Sequence, residues 1–243
     1  MKTISTYNFR GKRALIRVDF NVPLNSEFDV TDVTRIEAAK PTIMKILEDG
    51  GAVVLMSHLG RPKGVDANYS LKHIVEKVAD VIGVQVKFVP DCIGEKVNKA
   101  VKNLQNGEIL LLENLRFYAE ETAGDDGFSE QLSKNGDIYV NDAFGTAHRA
   151  HASTTIVAKY FSKNKCFGNL LAKEIESIDK VLTNSEKPVL AILGGAKVSS
   201  KITVIENILD KVDHLIIGGG MTFTFVKAQG GSVGDSICED DKM

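Results

Sequence analysis

The sequence predicts an α/β fold with three layers, a parallel sheet between two layers of helices, followed by the opening of a second α/β unit. Three observations predict it. Short apolar runs recur and end in Gly, Asp, Asn or His; helical periodicity fills the gaps between them; and most of the runs are rich in Val, Ile and Leu with little polar alternation. Strands covered on both faces look like this, and regular strand–helix alternation argues right-handed crossovers between parallel strands.

The first run, "ALIRV" (14–18), leads into "VTRIEAAKPTIMKILEDG", a helical segment in which Pro41 predicts a kink. "AVVLM" (52–56) is the second strand, and Ser70 is placed to cap the helix "LKHIVEKVADVI", which Gly83 closes. "VQVKFV" (84–89), "EILLLE" (108–113) and "DIYVN" (137–141) complete the first set, with the helix "EKVNKAVKNLQ" stopping at Asn106-Gly107. A long helical stretch at 169–184 then reads as a connector to "PVLAIL" (188–193), "VSSKITVIENILDKV" and "HLIIG" (214–218). The expected domains are 1–168, a connecting helix 169–184, and an incomplete unit 185–243. Two strands can hardly cover their own faces, so residues 185–243 are expected to expose apolar surface and to favour disorder, self-association or swapping. The last residues, "CEDDKM", bring no closing element, and the sequence reads as part of something longer.

Composition narrows the function. A net charge of -2 leaves no overall electrostatic footprint for nucleic acid. Three dispersed cysteines suit reduced thiols rather than a disulfide framework or zinc site. No apolar run approaches the length of a membrane span and no secretory leader is visible, so the expectation is a cytoplasmic protein without membrane or nucleic-acid partners.

The polar residues that carry chemistry fall just past strand ends. In a parallel sheet these ends gather on one edge, where open α/β proteins bind ligands. Asp19 and Asn21 follow the first strand, His58 and Arg61 the second, Arg116 the fourth, and Asp142, His148 and Arg149 the fifth, while Arg35 opens the first helix. Each arginine alone reads as a solvated charge, but four at one edge form a positive pocket suited to a small, multiply charged acid. His148 and His151 are helix caps or, with a third ligand, metal ligands.

The second unit has two glycine turns, Gly194-Gly195-Ala196-Lys197 and Gly218-Gly219-Gly220, each between a strand and a helix. Such glycines serve either a tight turn or the approach of backbone N–H groups to an anion. Lys197 and Lys201, four apart, are expected on one face of the first helical turns. "GGAKVSSK" is neither a P-loop nor G-x-G-x-x-G, and no acidic residue holds a ribose position, which disfavours a nicotinamide dehydrogenase.

Six blocks, "RVDFNVPL" (17–24), "LMSHLGRPKG" (55–64), "LLENLRFYAEE" (111–121), "NDAFGTAHRAHAST" (141–154), "LAILGGAKVSSKI" (190–202) and "IIGGGMTFTFVK" (216–227), together resemble the phosphoglycerate kinase family. The resemblance implies two Rossmann-like domains joined by a hinge helix, and reversible phosphoryl transfer from 1,3-bisphosphoglycerate to Mg-ADP, giving 3-phosphoglycerate and ATP in glycolysis. It further implies that Asp19, Phe20, Asn21, Arg35, His58, Leu59, Gly60, Arg61, Arg116 and Arg149 bind the glycerate substrate. Gly195, Ala196, Lys201 and Gly219 would line the nucleotide site, with Arg35, Lys197 and Lys201 acting on the transferring phosphoryl group. Members of the family are typically monomeric and carry their Mg2+ ligand in a later Gly-Gly-Gly-Asp loop, so that ligand is expected beyond residue 243 and this chain alone is expected to be inactive. The alternative is a non-catalytic 3-phosphoglycerate or anion-binding protein.

Overall fold

The computed structural model describes residues 2–183 and 185–243. They form two compact units, 1–174 and 175–243, so the division falls inside the connecting helix rather than at its ends.

The first unit is built on six strands: β1 (Arg13–Arg17), β2 (Ala52–Met56), β3 (Val86–Phe88), β4 (Ile109–Leu111), β5 (Ile138–Asn141) and β6 (Lys165–Phe167). Their order is β3-β4-β2-β1-β5-β6, and every pairing is parallel. Successive residues point to opposite faces, and both faces are apolar. Ile16, Val53, Leu55, Ile109, Leu111 and Val140 pack with Ile36, Ile43 and Ile46 of α1 (Thr34–Glu48) and with Val78 and Ile82 of α2 (Val75–Ile82). Leu15, Val54, Leu110 and Tyr139 face the other way, onto Val97 and Val101 of α3 (Glu95–Lys102) and onto Phe128 and Leu132 of α5 (Asp126–Ser133). A short α4 (Ala119–Ala123) precedes α5. The three layers are therefore a consequence of strand composition: each fully buried Leu or Ile contributes ~1.5–3 kcal/mol, and neither face can be left to water.

Several elements refine the sequence reading. Helix α1 is continuous through Pro41, which lies on its exposed side. Ser70 does accept the Lys72 N–H, but it caps a 3-10 turn, Leu71–Ile74, from which α2 continues to Gly83. Helix α6 (Asn169–Thr183) begins with its free N–H groups satisfied: Asp142 Oδ1 accepts from Leu170 and Leu171 at 3.0 and 3.2 Å, and Thr42 Oγ1 accepts from Asn169 at 2.8 Å. Residue 184, the expected end of the connector, lies outside the described residues.

The second unit has two parallel strands, β7 (Leu190–Gly194) and β8 (His214–Gly218), with α7 (Ile202–Leu209) and α8 (Met221–Ala228). Its core is small: Val198, Ile205 and Met221, with Leu193, Leu215, Ile217 and Phe225 against them. The opposite sheet face shows Leu190, Ile192 and Ile216, as expected of so few strands.

Candidate functional site

Four adjacent strands, β4, β2, β1 and β5, deliver the polar residues of the first unit to one sheet edge. Past β1, Asp19 Oδ2 accepts from Arg35 Nη1 at 2.5 Å, so the arginine that opens α1 is tied to the first strand end. These two, with Phe144, Gly145 and Asp142, line an opening of about 230 Å3.

The segment after β2 joins the neighbouring strand ends through its backbone. Gly60 N–H donates to Asn21 Oδ1 at 2.7 Å, and the Gly60 carbonyl accepts from Arg116 Nη1 at 2.5 Å. Gly60 has φ +61, and a Cβ there would lie 2.3 Å from the Tyr69 ring, so the bridge as it stands favours glycine. Buried Asn114, three residues past the end of β4, holds the same segment from the other side. Its Oδ1 accepts from Leu59 and Arg116 N–H, and its Nδ2 donates to the Leu59 and Tyr69 carbonyls at 2.8 Å. Sequence reasoning passed over Asn114; an amide closing an apolar strand was the available signal.

Arg61, Arg116 and Arg149 share a cavity of about 320 Å3 with Lys63, Tyr118 and Thr122. Arg116 is pushed below its ordinary pKa by burial and then by the guanidiniums of Arg17, Arg61 and Arg149. Cations held this close repel one another, and an anion among them would relieve that cost. His58 is buried beside the group, and burial followed by the charges of Arg17, Arg116 and Arg35 pushes it down to about 2, so the ring is neutral.

Two of the expected binding residues turn their side chains away from this edge. Phe20 and Leu59 are both in the core, with Phe20 N–H donating to Ser57 Oγ at 2.8 Å. His148 and His151 diverge: His148 lies against Arg149 Nε at 3.3 Å, and His151 Nδ1 is 3.9 Å from Glu121 Oε1. Among the described residues no group of three or more His, Cys, Asp or Glu could hold a metal ion.

In the second unit the two glycine turns lie backbone to backbone. Gly195 accepts from Met221 N–H at 2.8 Å, and Gly219, at φ +71, comes so near that a Cβ would lie 2.8 Å from the Gly195 carbonyl oxygen. Gly195, Ala196 and Gly219 are thus brought together, as a tight pair of turns before α7 and α8. The lysines differ from expectation. Residues 198–201 form a turn, Lys201 is the N-cap of α7, and Lys197 precedes the helix, so the two lysines share no helical face. Ser199 holds the turn to Glu239, donating from N and Oγ at 2.9 and 2.5 Å.

Comparison with known proteins adds three findings. The family model described as phosphoglycerate kinase matches residues 4–243. Phosphoglycerate kinase of Porphyromonas gingivalis is 52% identical, covering 99% of this chain and 63% of its own length; the cytosolic enzyme of Nicotiana tabacum is 53% identical, with 97% and 59% covered. Among solved structures, phosphoglycerate kinase from Coxiella burnetii aligns with a TM-score of 0.83 at 40% identity over 98% of this chain and 60% of that one. That from Pyrococcus horikoshii aligns with a TM-score of 0.85 at 32% identity, over 96% and 59%. The chain spans about three fifths of the length of the relatives it matches.

Proposed function

The chain belongs to the phosphoglycerate kinase family, and from that premise we propose that its first unit is the glycerate-binding half of a kinase that exchanges a phosphoryl group between 1,3-bisphosphoglycerate and ADP. The observation that carries the proposal is the mutual crowding of Arg61, Arg116 and Arg149 in one cavity, next to a neutral His58 and the Asp19–Arg35 pair. Planar guanidinium forks match phosphate and carboxylate oxygens, and 3-phosphoglycerate carries both.

In this reading Arg61, Arg116 and Arg149 hold the non-transferring phosphate, Asn21 and Asp19 orient the glycerate, and Arg35 offsets charge on the transferring group. Phosphoryl transfer needs position and cations on the equatorial oxygens more than covalent help. Gly195, Ala196 and Gly219 line the nucleotide side, with Lys201 on the nucleotide phosphates and Lys197 toward the moving group. Magnesium, arriving with the nucleotide, would neutralise phosphate charge; none of this chain's residues is assigned to it. Helix α6, which carries the division between the two units, serves as the hinge element.

Calorimetry with 3-phosphoglycerate tests the reading. The chain should bind it, and Arg149→Ala should weaken binding by ~1–3 kcal/mol, the scale of a lost charge-assisted hydrogen bond. No heat at millimolar ligand would overturn it. A turnover assay with ADP and 1,3-bisphosphoglycerate separates the full reaction from binding alone.

A further inference from the structure

Arg17 occupies the last position of β1 and is 1% exposed. It lies two residues from Leu15, so it shares the face that packs on α3 and α5, where a bare charge would be costly. All three of its nitrogens are engaged. Nε donates to Ser153 Oγ at 2.8 Å, Nη1 donates to the Val18 carbonyl, and Nη2 lies 3.2 Å from His58 Nδ1.

A guanidinium has donors and no acceptor, so at this contact His58 Nδ1 accepts. The competing partner for Nδ1 is Asp19 Oδ1, which would require a hydrogen on that nitrogen; at 3.9 Å it is beyond hydrogen-bond reach. The hydrogen of the neutral ring therefore sits on Nε2. Among the described residues that atom makes no hydrogen bond, and Asp142 Oδ2 is the one buried side-chain polar atom left unpartnered, so Nε2 opens on solvent.

Arg17 is itself held. The Ser153 hydroxyl that accepts from Arg17 donates onward to Glu121 Oε1 at 2.6 Å, and Ser153 N–H donates to Glu121 Oε2 at 2.9 Å. Glu121 is 1% exposed. A buried cation and a buried carboxylate are thus joined through one hydroxyl, an arrangement that satisfies both charges without direct contact.

We infer that Arg17 is a positioning residue that locks His58 as a neutral Nε2–H donor, and that Glu121 anchors Arg17 through Ser153. The inference rests on the reading of His58 as part of an anion site. The groups around the ring are Arg17, Arg35, Arg116 and His151, all of which disfavour a second proton, and Asp19. The site gains a directed donor without a further charge among guanidiniums that already repel one another, and the donor needs no reorientation when an anion arrives.

The test is two-bond 1H–15N correlation on the full chain with ring-labelled histidine, with the His58 signals assigned from His58→Gln. The expected spectrum shows His58 as the pure Nε2–H tautomer from pH 8 down to about pH 5. In Arg17→Met both tautomers should appear and the ring's protonation constant should rise at least tenfold. Ser153→Ala, which keeps the arginine, should give a smaller mixture of the same kind. A hydrogen on Nδ1 in the unaltered chain overturns the inference with no variant needed, as does an unchanged tautomer in both variants. Adding 3-phosphoglycerate separates this from the functional reading. A locked tautomer whose Nε2 signal ignores the ligand leaves the lock standing and removes His58 from the site; a signal that responds from a ring protonated on Nδ1 does the reverse.

Discussion

The two units use one plan, strands that empty into polar turns at their C-terminal ends, yet they handle charge differently. In the first, six strands are covered on both faces, and side chains as polar as Arg17, Glu121, Asn114 and Asp142 are held inside. In the second, a pair of strands has one covered face, and among its described residues the buried polar side chains reduce to Thr224. The difference is one of enclosure. A buried charge network needs apolar cover to exclude water and enough neighbours to satisfy every donor and acceptor. Where cover is thin, the strand ends are closed by backbone turns, which need only glycines in contact.

The largest expected effect tests enclosure directly. Leu15 is fully buried on the α3/α5 face of the central strand. Leu15→Ala should cost the first unit ~2–5 kcal/mol through lost burial and a residual cavity. Native-state hydrogen exchange at β1, β2 and β5 amides would read the loss, and protection changed by less than ~1 kcal/mol would mean the layer is not close-packed.

Acid dependence sharpens the contrast next. Burial pushes Asp142 up to about 6 from 3.8, against the hydrogen bonds it accepts, and its Oδ2 has no partner. Asp213, at the opposite, N-terminal edge of the second unit's sheet, is instead lowered by the Val189 N–H and then by Lys187. For Asp142 the folded state holds the proton more tightly than the unfolded one. That stabilisation is complete below about pH 4, lost as pH rises through about 6, and worth ~3 kcal/mol across the interval. The denaturation midpoint of the first unit should therefore carry a downward contribution between those values, and Asp142→Asn should abolish it. A variant that keeps the same slope would exclude Asp142 as its source.

The glycines distinguish side-chain from backbone construction. Gly60 and Gly219 both have positive φ, so alanine is strained at each. At Gly60 the obstacle is the Tyr69 side chain, 37% exposed and able to swing away; at Gly219 it is the Gly195 backbone, which is fixed by Met221 N–H. Gly219→Ala should cost the second unit ~2–3 kcal/mol and Gly60→Ala the first ~1–2 kcal/mol. Exchange measured for the two units separately gives the ranking, and equal losses would show that the turns of the second unit have room to separate.

What the sequence made legible follows the same line. Strands of Val, Ile and Leu were readable because burial on both faces leaves no other composition, and strand-end arginines were readable because a parallel sheet gathers its ends. Strand β6, "KCF", escaped notice because an edge strand of three residues has neither length nor apolar excess. Helices α4 and α5 escaped because Gly124 and Asp125 break the periodicity between them. The shared face expected for Lys197 and Lys201 failed because Val198-Ser199-Ser200 make a turn whose hydrogen bonds go to Glu239, forty residues on, which local spacing does not reveal. The Arg17–Ser153–Glu121 relay joins residues from three blocks of the chain. Its one local sign was an arginine inside the apolar run "ALIRV".

The smallest effect on stability concerns the open face. Ile192 is 68% exposed on β7, beside Leu190 and Ile216. With little area to lose, Ile192→Thr should change the stability of the second unit by no more than ~0.5 kcal/mol, and threonine keeps a strand's preference for β-branched side chains. Its effect should lie elsewhere. A contiguous apolar strip on two strands with unpaired edges favours association between copies, so the unaltered chain should show a concentration-dependent sedimentation coefficient that Ile192→Thr reduces. A compact monomer at all concentrations would mean that this face is not adhesive. The same substitution placed at Val54, buried on both sides of its strand, should destabilise through an unpaired hydroxyl by ~1–3 kcal/mol. One polar change would then read out the enclosure of each sheet: tolerated where water already reaches, costly where it does not.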